Sequence, residues 1–94
     1  MNFEWDDEKN RKNIKKHRLP LQAGAAVFDD DHRIEEYERN ENCHEDRFIT
    51  IGMNESSRIL YVVYTMRNND GTIRLISVRK AEQLERRLYE KNHG

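Results

Sequence analysis

Cysteine, proline and long apolar runs are the scarce features of this chain. Its one cysteine, Cys43, can form no intramolecular disulfide, and Cys43-His44 with the distant His17, His32 and His93 matches no metal-site spacing, so neither a metal nor another cofactor is expected. No stretch approaches the roughly 20 apolar residues that span a bilayer. The N-terminal Met1-Asn2-Phe3-Glu4-Trp5-Asp6 also lacks a basic segment followed by an apolar one. A soluble cytoplasmic protein with no membrane contact is the expectation. At 94 residues and 35% hydrophobic content, the chain supports one modest core and a single domain over residues 1–94. Internal repeats and low-complexity linkers are absent.

Charge, by contrast, is abundant and unevenly spread. Charged residues make up 37% of the chain, and the net charge is −1. Residues 29–46 hold nine acids against Arg33 and Arg39, a local −7 that leaves +6 for the rest. A basic surface can therefore coexist with a near-neutral total, so the pI alone does not exclude a nucleic-acid partner. An ordinary acidic loop beside ordinary surface accounts for the asymmetry equally well.

The clearest local structure lies in residues 58–81. Residues 59–66 and 73–78 are rich in β-branched and aromatic side chains, and Asn68-Asn69-Asp70-Gly71 between them supplies turn chemistry. This is a β-hairpin, and bulky residues on both parities of its first strand mark that strand as central in a sheet. Arg67, Arg74, Arg79 and Lys80 fall within or at the ends of these strands, either as a solvated rim or as an anion-binding surface. With an even-membered turn Arg67 and Arg79 point to opposite faces, so a shared phosphate site needs a bulge or a strand-end twist.

Around the hairpin, Phe3-Glu4-Trp5 reads as a short strand whose aromatics enter the core. Asp6 is an N-cap, followed by acids in the first turn of a polar helix that runs to His17. Lys9, Asn13, Lys16 and His17 share one stripe of that helix at i, i+4, i+7 and i+8. Pro20 suits the first turn of a second helix over residues 21–28, with Leu21, Ala25 and Phe28 inward and Gly24 a weak point relative to alanine. Residues 32–38 read as an exposed strand with Ile34 inward, residues 40–46 as a polar turn, and residues 47–53 as an alternating strand. Residues 54–57 turn into the hairpin. Residues 81–92 form a terminal helix packed through Leu84 and Leu88. The order is that of an α+β fold, which names no function by itself.

Four segments do carry a resemblance. They are Phe3-x-Trp5-Asp6-x-x-Lys9-x-x-x-Asn13-x-x-Lys16-His17, Ala26-Val27-Phe28-Asp29-Asp30, Arg47-Phe48-x-x-Ile51-Gly52, and Arg74-x-Ile76-Ser77-x-Arg79-Lys80-Ala81 with Glu85-Arg86-x-x-Tyr89. In this order they resemble the BrnT toxins of bacterial type II toxin–antitoxin systems. Pro20, Gly24 and Met66 depart from the family pattern, which often has a serine-like cap, an alanine and an acid there.

The resemblance implies a RelE-like α+β fold, with an antiparallel sheet of four to five strands, two N-terminal helices and one C-terminal helix. It implies a metal-independent endoribonuclease that inhibits translation. Its partner would be a ribbon-helix-helix antitoxin that binds two toxins per dimer and brings the pair to operator DNA. Such cleavage needs a base for the 2′-hydroxyl, cations for the pentavalent phosphate and an acid for the 5′-oxygen. The catalytic candidates are Arg79, Arg67 and Lys80 for the phosphate, with His17 and Lys9 for proton transfer; RNA-binding candidates are Lys16, Arg47, Arg74, Arg86 and Tyr89. His17 can alternatively cap its helix, and Tyr89 can pack in the core. The competing class is a non-catalytic module that binds an antitoxin and helps it repress.

Overall fold

A computed structural model describes residues 1–38, 46–67 and 71–93. The elements are β1 (Phe3–Glu4), α1 (Asp7–His17), a 3-10 helix (Leu21–Asp29), β2 (Ile34–Glu38), β3 (Arg47–Met53), β4 (Ile59–Arg67), β5 (Thr72–Lys80) and α2 (Gln83–His93). Five strands form one sheet in the order β1-β5-β4-β3-β2. The expectation of an antiparallel sheet needs correction: β1 runs parallel to β5, pairing Phe3 with Ile73 and Glu4 with Arg74, so the sheet is mixed. Two residues at the head of the chain sufficed for this pairing, which the Glu4–Arg74 ion pair reinforces across the strands.

Capping chemistry places α1 where the sequence predicts it. The Asp6 carboxylate accepts the Lys9 amide, Asp7 and Glu8 occupy the first turn, and Lys15, Lys16 and His17 occupy the last. Arg18 ends the helix in the left-handed region at φ 62°, its N–H returning to the Ile14 carbonyl.

The second helix differs from expectation in pitch. Leu21–Asp29 is a 3-10 helix, and Pro20 precedes it as an extended cap with no side-chain hydrogen bond. Three residues per turn bury Leu21, Gly24 and Val27; of the expected inward residues Leu21 is buried and Phe28 packs against the core, while Gly24 and Val27 are buried in place of Ala25. Gly24 is no weak point in this setting. A Cβ there would lie 2.8 Å from Val78 Cγ2 and 3.1 Å from Val62 Cγ1, so the missing side chain lets the helix rest on β4 and β5.

Between helix and sheet lies the core of Leu21, Val27, Leu60, Val62, Tyr64, Ile73, Leu75 and Val78, with Phe3, Trp5, Leu19, Phe28 and Phe48 packed around it. The β4–β5 hairpin forms as read, with a register shift between Val63 and Tyr64: Val63 pairs with Ser77 and Tyr64 with Leu75. Residue Ile76 is the extra one, so Ile73 and Leu75 point inward before it and Val78 after it. Of the turn itself only Gly71 is described, at φ 81°, and the predicted 40–46 turn falls outside the described residues except for Asp46.

The terminal helix α2 reverses its expected orientation. Leu84 and Leu88 are 73% and 52% exposed, whereas Glu85 and Tyr89 face the sheet. Polar contacts hold this helix: Glu85 to Arg79, the Tyr89 hydroxyl to Asp30 and the Asn92 amide to the His32 carbonyl.

Candidate active site

Asn13 joins the two elements that build the site. The stripe of α1 read from the sequence is not wholly solvated, because Asn13 is 6% exposed and reaches between helix and sheet. Its amide nitrogen donates to the carbonyls of Val78 and Leu19, each at 2.8 Å, and its oxygen accepts the Val78 N–H at 3.1 Å. One helical turn beyond Asn13 comes His17, and one residue beyond Val78 comes Arg79.

The result is a surface cleft of about 440 Å³ lined by Lys16, His17, Arg18, Leu19, Arg58, Arg79, Lys80 and Glu82. A smaller cleft of about 270 Å³ shares Arg58 and Lys80 with it and adds Arg86. Among the described residues no ion pair offsets Lys16, Arg58 or Lys80, so the cleft is strongly basic. Burial lowers the His17 pKa below its ordinary value, and the charges of Lys16 and Arg79 lower it further. The imidazole is therefore neutral at pH 7 and able to accept a proton.

Arg79 is held on three sides. Its NH1 and NH2 donate to the two Glu85 oxygens at 2.8 Å each, NH1 also reaches the Lys80 carbonyl at 3.2 Å, and its guanidinium lies 3.8 Å over the Tyr61 ring. Tyr61 is the cross-strand partner of Arg79, which explains the stacking. The hydrogen bond to Glu85 raises the Arg79 pKa, and the reciprocal bond holds the Glu85 carboxyl below its ordinary value. Burial pushes the Tyr61 phenol up. Arg79 stays cationic, and its Nε and the second N–H of NH2 are not used by these contacts.

Of the sequence candidates, the structure gathers Lys16, His17, Arg79 and Lys80 into this cleft, with Arg86 beside it. Others lie elsewhere. Lys9 is eight residues before His17 on α1, about 12 Å along the axis. Arg67 pairs with Thr72 while Arg79 pairs with Tyr61, six residues back along β4, so about 20 Å of strand separates the two arginines despite the bulge. Arg67 and Arg74 converge on Glu4, and Arg47 opens β3 at that same end of the sheet, next to the Phe48–Tyr64 pair. A shared phosphate site for Arg67 and Arg79 is thus corrected by strand geometry.

Tyr89 is also corrected as an RNA contact. It is 2% exposed, and its hydroxyl donates to Asp30, a burial and pairing that push its pKa up to about 12. Burial acts to raise the Asp30 pKa, but the Tyr89 hydroxyl with the Met53 and His32 amides outweighs it and keeps the carboxylate ionised. Reading the sequence missed Arg58, Arg18, Tyr61 and the clamping role of Glu85. The Arg58 signal was its position at the foot of the central strand, and the Tyr61 signal was hairpin register.

Comparison with known proteins assigns a family to this arrangement. The family model described as the ribonuclease toxin BrnT of type II toxin–antitoxin systems matches residues 5–85. The chain belongs to the BrnT family. The BrnT match runs from Trp5 to Glu85 and so contains His17, Arg79, Lys80 and the clamp. A crystal structure of the ribonuclease toxin BrnT from Brucella abortus is similar to this chain at 23% identity and a TM-score of 0.59, covering 88% of this chain and 99% of that one. At this identity the likeness speaks for the fold, an α+β BrnT architecture with a five-stranded mixed sheet and three helices. No curated protein sequence matches the chain. Among the described residues no helix is long and apolar enough to cross a membrane.

Proposed function

We propose that this BrnT toxin is a metal-independent endoribonuclease that binds the scissile phosphate in the cleft between the end of α1 and the end of β5. One observation carries this reading: His17 and Arg79, distant in sequence, line one basic cleft closely enough for the arginine's charge to depress the histidine's pKa. Neutral His17 takes the proton of the 2′-hydroxyl as that oxygen bonds to phosphorus. The P–O5′ bond breaks, leaving a 2′,3′-cyclic phosphate on one fragment and a 5′-hydroxyl on the other. Arg79 and Lys80, which line the cleft, stabilise the charge that builds on the non-bridging oxygens, and the departing 5′-oxygen takes its proton from Lys80 or from water.

RNA cleavage inhibits translation, and in the cytoplasm a ribbon-helix-helix antitoxin, two toxins on each antitoxin dimer, neutralises it and carries the complex to operator DNA. The test is cleavage of a labelled RNA in EDTA by the wild-type protein and by Arg79→Ala, with circular dichroism on both. Cleavage by the wild type and its loss in a folded mutant support the proposal. Full activity in the mutant contradicts it, and absence of cleavage by the wild type, with or without ribosomes, returns the protein to a non-catalytic binding module.

A further inference from the structure

The outward face of α2 is unusual for a helix that ends a small fold. Leu84, Arg87, Leu88 and Lys91 recur at i, i+3, i+4 and i+7 and are all exposed, while Glu85, Tyr89 and Asn92 make the polar contacts that hold the helix. Beside them runs a groove of about 440 Å³ between α2 and the edge strand β2, floored by Ile34 and Leu88. Its walls carry opposite charge. Glu36 stands on the β2 side, where the neighbouring Glu35 is already paired with Arg33, and Lys91 stands on the α2 side, with Arg87 next to it on the helix.

We infer that this groove is the docking site for an amphipathic helix of the antitoxin. That helix would bear leucine-like residues on its inner face, acids along the flank that meets Arg87 and Lys91, and a base on the flank that meets Glu36. The inference rests on membership in a type II toxin family, which supplies a protein partner. The chemistry of the occupant comes from the groove itself. Exposed leucines at helical spacing accept the ridge of a second helix, and two walls of opposite sign fix its direction, because reversing it puts like charges together. Arg86 and the basic cleft lie on the other flank of α2. Docking here therefore anchors the antitoxin without using the groups that bind RNA.

The experiment titrates full-length wild-type toxin, Leu84→Glu/Leu88→Glu and Arg87→Glu/Lys91→Glu with the full-length cognate antitoxin, and measures RNA cleavage by each free toxin. The expected result is antitoxin affinity at least about 100-fold weaker for the leucine variant and about 10-fold weaker for the charge variant. RNA cleavage by the free toxins stays unchanged, since neither pair lines the cleft. Unchanged antitoxin affinity in both variants overturns the inference. So does a wild-type dimer in sedimentation that the leucine variant converts to monomer at unaltered antitoxin affinity, because the face then binds a second copy. Loss of affinity with no RNA cleavage by any toxin upholds the docking site and rejects the ribonuclease mechanism separately.

Discussion

The Asn13 side chain satisfies both backbone groups of Val78, accepting its N–H and donating to its carbonyl, while the same amide nitrogen also reaches the Leu19 carbonyl. A single buried amide thereby sets the position of α1 on β5. His17 and Arg79 follow directly from the two partners, so the spacing of the site depends on this bracket.

Replacing Asn13 leaves buried donors and acceptors without partners, each costing about 1–3 kcal/mol. Asn13→Ala and Asn13→Leu should each destabilise the protein by about 2–5 kcal/mol in chemical denaturation. Asn13→Asp should fare no better, since a carboxylate can accept from Val78 but cannot donate to either carbonyl. RNA cleavage should fall even at denaturant-free temperatures where circular dichroism shows a folded chain, because α1 is no longer registered on β5.

Glu85 acts through Arg79. A guanidinium displaced by about 1 Å can cost on the order of 100-fold in rate. Glu85→Ala should therefore lower kcat by roughly that factor with a smaller effect on KM, and Glu85→Gln, which keeps one acceptor, should retain more activity. Tyr61→Phe preserves the face beneath Arg79 and should stay active, whereas Tyr61→Leu should not. Equal activity across these four proteins would show that Arg79 needs no clamp.

The lowered pKa of His17 gives the cleavage rate an acid limb. Activity should fall as pH drops through a value below about 6.5, because protonation removes the base. Lys16→Gln takes away one of the charges that depresses the pKa, so the limb should move to higher pH, in step with the His17 imidazole followed by NMR titration. The sign for stability follows from the same shift: between the lowered pKa and about 6.5 the unfolded chain binds the proton and the folded one does not, so stability declines as pH falls through that window. An acid limb unmoved by Lys16→Gln would remove His17 from the base role.

Local chemistry made much of the fold legible. The Asp6 cap, the hairpin with Gly71 and the alternation of β3 are encoded by neighbours in sequence, and each stands where it was read. Features set by distant partners were not. The pitch of Leu21–Asp29 goes with Gly24 lying against Val62 and Val78, so a helix periodicity of 3.6 finds Leu21 and Phe28 but misses Gly24 and Val27. Asn13 looked like one more polar residue because its partner is 65 positions away. In α2 the apolar spacing of Leu84 and Leu88 suggests an inward face, but the hydrogen bonds of Tyr89 to Asp30 and of Arg79 to Glu85 set the opposite face inward. At the site, the family resemblance drew attention to His17, Arg79 and Lys80 but could not separate them from Arg67 and Arg74, since only register shows that these arginines occupy opposite ends of the sheet.

Location of the phosphate is the claim on which the rest depends, and an uncleavable 2′-deoxy oligonucleotide tests it. Backbone amide shifts of the full-length protein on titration should be largest at His17, Arg18, Arg58, Arg79 and Lys80, and Arg79→Ala should abolish them. Shifts confined to Arg47, Arg67 and Arg74, unaltered by Arg79→Ala, would place the nucleic acid at the other end of the sheet and contradict the account.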